Sequence, residues 1–262
     1  MYAAPDRPIS PTGGLAVGYN VPVTTGDFPE AARVILSGGP VRKGPRPEPP
    51  AGARTAALVP AYFAPDAAPG EWRRLLAAPP RLVVVSVDHG PGAVRQAAYV
   101  PCVAALLAAG CEVLGYVDTD FGLRPSEEVH ADLRRYRHWY GLRGFFLDQV
   151  AASEERLPHY ADLVDGVRGT VVLNPGVYPD PGYAALADLL VTFEGPLSAY
   201  RSMREPAWAR ALARGRFCHL VHDVPHRQVE PTLRRAVRHA AVVHVTDRTG
   251  AAPWRDLPTY FG

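Results

Sequence analysis

The sequence predicts an α/β fold, a (β/α)8 TIM barrel with an irregular N-terminal extension. Three observations predict it. Eight short runs of β-branched and aromatic residues recur after Arg54, segments of helical periodicity stand between them, and nearly every run ends in a polar or acidic residue. Strands that read as almost continuous apolar runs are buried on both faces. Strands alternating with helices imply parallel pairing through right-handed crossovers. A chain of 262 residues has room for one such domain. A doubly wound open sheet is the alternative, but no Gly-x-Gly-x-x-Gly turn follows the first run to favour a dinucleotide fold.

Residues 1–54 carry dense Pro-Gly punctuation, most of all in GGPVRKGPRPEPPAG (38–52), and one short candidate strand at 15–19. Such a composition builds no core of its own, so this stretch reads as an extension and 55–262 as the barrel domain. The apolar runs follow in order: AALV (56–59), LVVVSV (82–87), VLGYV (113–117), GFFL (144–147), TVVL (170–173), LLVTF (189–193), FCHLV (217–221) and AVVHV (241–245). Between them, 97–109 carries an apolar stripe through Val100, Val103, Ala104 and Leu107. Val129, Leu133, Tyr136 and Tyr140 recur at helical spacing over 126–140, where Ser126 is the expected N-cap and Glu127 and Glu128 suit the helix dipole. A further helix is expected over 231–238, with Pro231 at its first position.

Composition narrows the function. Hydrophobic residues make up 47% of the chain and charged residues 21%, which is globular. A formal net charge of +2 offers no bulk attraction to nucleic acid or anionic membrane. Lys43 is the sole lysine, and the wealth of Ala, Pro and Arg reads as bacterial codon usage from a GC-rich genome. Cys102, Cys111 and Cys218 are too few for a disulfide framework and lack metal-ligand spacing, so free thiols are expected. The N-terminus lacks a basic start followed by an apolar run, and no run reaches membrane-spanning length. The expectation is a cytoplasmic protein without cofactor or bound metal; the oligomeric state is not legible.

In a barrel, chemistry gathers at the C-terminal strand ends. Tyr62 follows the first run, Asp88-His89 the second, and Asp118 and Asp120 the third; Asp148-Gln149 follow the fourth, and Asn174 the fifth. Glu194 closes the sixth, His222-Asp223 the seventh and Thr246-Asp247 the eighth, with Trp254 shortly beyond. Each acid alone could be a helix cap or turn former, and each aromatic could be packing. Asp148 and Glu194 stand out, each placing a carboxylate at the end of a very apolar strand, two strands apart. Neighbouring strands lie about 4.8 Å apart, so two inward carboxylates on alternate strands can meet at about 5 to 9 Å, the range of glycoside hydrolysis. His219 and His222 lie three apart on one strand, hence on opposite faces, which argues against a metal-dependent hydrolase.

These residues resemble the spherulin-4-like family of glycoside hydrolases. The similarity runs through LVPAYFAP (58–65), Trp72, LVVVSVDHGPG (82–92), GYVDTDFGLRP (115–125), DLRRYRHWY (132–140), GFFLDQV (144–150), VVLNPG (171–176) and VTFEG (191–195). The resemblance implies a barrel enzyme that cuts α-1,4-linked galactosamine-containing polysaccharide, with Asp148 and Glu194 as catalytic carboxylates. It further implies that Tyr62, Asp88, Tyr116, Asp118, Asp120 and Asn174 line the sugar site, to which Gln149, His222 and Trp254 are added from their positions. Where the family usually has Asp-Glu, this chain has Asp148-Gln149, and a glutamine cannot titrate. The expected roles are Asp148 as nucleophile and Glu194 as acid/base. The alternative is a repurposed barrel that binds or modifies a small intracellular amino-sugar metabolite without hydrolysing a polysaccharide.

Overall fold

The computed structural model describes residues 57–261. The candidate strand at 15–19 and the rest of the extension lie outside the described residues. Eight strands appear: β1 (Leu58–Ala61), β2 (Leu82–Val85), β3 (Glu112–Asp118), β4 (Gly144–Asp148), β5 (Val171–Leu173), β6 (Leu189–Pro196), β7 (Phe217–His222) and β8 (Val242–Val245). All neighbours pair in parallel, in sequence order from β1 to β8, and β8 returns against β1. The sheet therefore curls into the nearly closed (β/α)8 barrel that the alternation predicts. Helices α1 (Pro69–Ala77), α2 (Tyr99–Ala108), α3 (Ser126–Tyr140), α4 (Leu157–Val164), α5 (Tyr183–Leu186), α6 (Leu197–Tyr200), α7 (Ala207–Arg210) and α8 (His226–Ala236) make the crossovers.

Two helix starts differ from expectation. Ser126 is not the cap of α3 but its first residue; Pro125 holds the N-cap position with extended backbone, and the Ser126 hydroxyl lies 3.4 Å from His159 Nδ1. Pro231 does not open α8. That helix begins at His226, after Pro225, and Pro231 stands inside it. Proline suits the first position of a helix, which is why the sequence places the start at Pro231; here Val229 and Thr232, on the buried face, carry the helix through it. The end of α3 follows its sequence: Gly141 adopts left-handed φ 71° and donates its N–H back to the Arg137 carbonyl, while the Leu142 N–H donates to that of Tyr136.

Side-chain alternation divides the core into two layers. Leu58, Val84, Leu114, Tyr116, Phe146, Val172, Val191, Cys218, Leu220 and Val242 fill the barrel interior. Their odd-and-even partners pack outward under the helices. Cys102, Cys111 and Cys218 are all free. Helix α3 sits very close to the sheet, because a Cβ at Gly115 would fall 2.7 Å from the Tyr136 ring. In β6 the ladder slips between Val191 and Phe193, leaving Thr192 as an extra residue. Val191 pairs with Cys218 on the inner face and Phe193 with His219 on the outer, so Glu194, paired with Leu220, returns to the inner face.

Candidate active site

The inner face carries its own alternation out to the mouth. Two residues beyond Phe146 it presents Asp148, two beyond Val172 Asn174, and two beyond Tyr116 Asp118. Glu194 joins them through the β6 bulge, a device that elsewhere also re-aims side chains beside active sites.

Asn174 stands between the two acids. Its Oδ1 accepts the Gly176 N–H at 3.0 Å, which turns the NH2 end toward the mouth. That nitrogen donates to Asp148 Oδ1 at 2.6 Å and also to Glu194 Oε2. Two acceptors that share one donor nitrogen lie at most about 5 Å apart, two hydrogen-bond lengths end to end. Asp148 Oδ2 accepts from the Tyr116 hydroxyl at 2.8 Å, and Glu194 Oε1 accepts from Trp254 Nε1 at 2.8 Å. Both acids are half-buried, so each keeps a face toward the opening.

Burial and neighbouring charge act on Asp148. Burial, followed by the nearby Glu194 charge, raises Asp148 from the ordinary carboxylate range to about 7, against the lowering effect of the Tyr116, Gln149 and Asn174 donors. Burial and then the Asp148 charge likewise push the Tyr62 and Tyr116 phenols upward, so both remain protonated. Tyr62 meets Tyr116 edge-on at 5.2 Å and lines the same opening.

A second tier supports this centre. Gln149 Nε2 donates to Asp118 Oδ2 at 3.1 Å rather than to the acid pair, while Asp118 Oδ1 accepts the Asp120 N–H at 2.7 Å. Asp120 itself is exposed on the turn Asp120–Gly122. Asp88 is exposed on the loop after β2 and makes no hydrogen bond to Asp148 or Glu194. His222 lies edge-on to Trp254 at 5.9 Å, with Nδ1 3.4 Å from Asp223 Oδ2. The Trp254 ring is buried beside His222 and His244, so its contribution to the centre is the indole N–H held on Glu194.

Two supporting residues escaped the sequence reading. Buried Thr119 donates to the carbonyls of Asp148 and Gln149 at 2.8 and 2.9 Å, tying the β3 loop to the β4 loop. Arg124 donates to the Asp118 carbonyl and to Asp132 Oδ2, both at 2.7 Å. A buried threonine between two aspartates, in Asp118-Thr119-Asp120, was the available clue. Among the described residues, the non-glycine positions with positive φ are His89, Asp120, Phe121, Gln149 and Asp223, and all follow strand ends at this mouth. Each left-handed residue costs roughly 1–2 kcal/mol, and such strain collects at functional sites. Among the described residues, no group of three His, Cys, Asp or Glu side chains could hold a metal ion.

Comparison with known proteins fits this arrangement. The profile of the spherulation-specific family 4 matches residues 56–262. Spherulin-4 of Physarum polycephalum is 32% identical over 148 residues, which are 52% of this chain and 44% of that protein, so the match spans less than half of that relative. The crystal structure of Aspergillus clavatus Sph3 in complex with GalNAc superposes with a TM-score of 0.66 at 24% identity, covering 80% of this chain and 95% of Sph3, a likeness of fold. With the family profile running the length of the barrel, the chain belongs to spherulation-specific family 4, the spherulin-4-like proteins.

Proposed function

We propose that this chain is a glycoside hydrolase that cleaves an α-linked, amino-sugar-containing oligo- or polysaccharide with Asp148 and Glu194. The observation that carries the reading is the Asn174 amide donating to both carboxylates at once. Two acids this close in a half-buried mouth do not both ionise freely, and one proton is retained between them. Asp148 is the group held up to about 7. It is therefore suited to protonate the glycosidic oxygen as the C–O bond breaks. Glu194, anchored by Trp254 and Asn174, is placed to attack the anomeric carbon. A water then displaces Glu194, passing its proton to Asp148 and restoring both groups. The sequence assigns Asp148 as nucleophile and Glu194 as acid/base; the burial and charge around Asp148 are what favour the opposite assignment in this proposal.

The close approach of the two carboxylates favours retention, for which about 5 to 5.5 Å is typical, over inversion, which needs about 6.5 to 9.5 Å to admit a water. Asp118, Asp120 and Asp88 add negative charge around the mouth, which suits a cationic amino group on the sugar. The GalNAc bound by Sph3 is a galactosamine whose nitrogen is acetylated and uncharged, so it supports an amino-sugar ligand and leaves the charge to be tested. Gln149 favours the second reading, a binder without hydrolysis, only if position 149 must carry a proton. Its side chain is engaged with Asp118, away from the pair, which supports hydrolysis instead.

The direct test uses α-1,4-linked galactosamine oligomers. Glu194→Gln should lower cleavage at least about a hundredfold, the usual scale for losing an acid/base or nucleophile, while its thermal melt stays near that of the parent. Turnover unchanged in that variant would remove Glu194 from the chemistry, and intact oligomer bound to the parent chain would leave only the binder.

A further inference from the structure

Three of the large apolar side chains left exposed lie on loops at the barrel mouth. Phe121 is 54% exposed and Leu123 64% exposed, both on the β3 loop; Val177 is 54% exposed on the loop after β5. These loops are tied to the centre by the backbone. The Phe121 N–H donates to the Gln149 carbonyl at 2.7 Å, one residue from Asp148. Val177 follows Gly176, whose carbonyl accepts the Glu194 N–H at 3.0 Å.

Phe121 is the most unusual of the three. Asp120 and Phe121 adopt left-handed φ of 46° and 51° in succession, a backbone suited to glycine. The turn is held there by the Asp118 carboxylate on the Asp120 N–H, by Thr119, and by Arg124 on the Asp118 carbonyl. So the chain spends backbone strain and a set of hydrogen bonds to keep a phenyl ring in water, where it stabilises nothing in the fold. A ring in that position gains by covering its face with the C–H side of a sugar, and more so when the sugar carries an ammonium group.

We infer that Phe121 is the platform for a sugar residue next to the one held by Asp148 and Glu194, so that the site engages a chain of several amino sugars rather than a single one. The inference rests on the glycosidase reading above. Val177, on the loop after β5 beside Glu194, offers a second exposed apolar side chain at the mouth. Chain length is thereby recognised on the β3 loop.

Calorimetric titration tests this in the Glu194→Gln chain, which leaves ligand intact, with an α-1,4-linked galactosamine tetramer and the free monosaccharide. The tetramer should bind more tightly than the monosaccharide. Adding Phe121→Ala should remove about tenfold of the tetramer affinity, and Phe121→Trp should restore it. Phe121→Gly should raise the melting temperature, because it relieves the left-handed backbone, while weakening tetramer binding as Ala does. A merely structural phenylalanine would do the opposite in the melt. Equal tetramer affinity with and without Phe121, or no preference for tetramer over monosaccharide, would overturn the platform and leave the hydrolase reading standing. Tetramer left intact by the parent chain would overturn the hydrolase reading instead.

Discussion

Asn174 commits its amide hydrogens to two acids that would otherwise repel, and burial with the Glu194 charge holds the Asp148 carboxyl above the ordinary aspartate range. The consequence for activity has a definite sign. If Asp148 must be protonated to act as the acid, the rate of cleavage falls as pH rises through about 7. A pH profile of kcat on a galactosamine oligomer checks this; a basic limb far above that value would contradict it. The same group affects stability. Its folded value of about 7 exceeds the reference 3.8, so between these values the folded chain holds a proton that the unfolded chain has released. Stability therefore declines as pH rises across that window and is lowest above it. Asp148→Asn removes the buried charge and keeps the acceptor for Tyr116. It should abolish cleavage yet raise the melting temperature at pH 8, by roughly 2–4 °C per kcal/mol regained in a domain of this size. Thermal melts of both proteins at pH 4 and pH 8 measure the difference, which should vanish at the lower pH.

Strand β6 shows what one extra residue does to an element. Counting from Leu189 and Val191, which face inward, strict alternation would send Glu194 outward under the helices. The slip at Thr192 reverses the count and returns it to the mouth. Deleting Thr192 should therefore yield a chain whose cleavage falls at least about a hundredfold, as if the carboxylate were removed, with helical and strand signals retained by circular dichroism. Retained activity would show that the bulge does not aim Glu194. On the other side of the barrel, α3 approaches β3 closely enough that Gly115 has no room for a methyl group. Gly115→Ala should cost about 1–3 kcal/mol by overpacking against Tyr136, seen as a lower denaturation midpoint with an unchanged slope.

At the scale of the molecule, the barrel's formal net charge is nearly balanced, yet its mouth gathers acids. Asp88, Asp118, Asp120, Asp148, Glu194 and Asp223 all follow or end strands there, while Arg124 turns inward to Asp132 and the Asp118 carbonyl. Whole-chain charge therefore says little about the ligand, and local charge says more. A cationic amino-sugar oligomer should bind less tightly as salt rises from 0.05 to 0.5 M, since the screening length drops from about 14 Å to about 4 Å over that range. A fully N-acetylated oligomer should show almost no such dependence. Titration of both ligands at several salt concentrations distinguishes them, and identical slopes would argue against recognition of the amino group.

The residue string alone determined the eight strands, their parallel order and the mouth to which their polar ends belong, because apolar runs and helical spacing are local patterns. It also pointed to Asp148, Glu194 and Asn174, since a polar residue just past a buried strand has few other places to go, while Tyr116 came from the family resemblance alone. It did not reveal that Asn174 joins both acids, that Trp254 serves Glu194 through its N–H, or that Thr119 and Arg124 fasten the β3 loop. It misjudged where α8 begins, because helix continuation through Pro231 depends on packing that a proline's local preference does not register. Only the tertiary structure decided that Asp148 is held above the ordinary carboxylate range and which face Glu194 adopts. The first depends on burial and on a charge two strands away, and the second on a ladder slip with no mark in the local sequence.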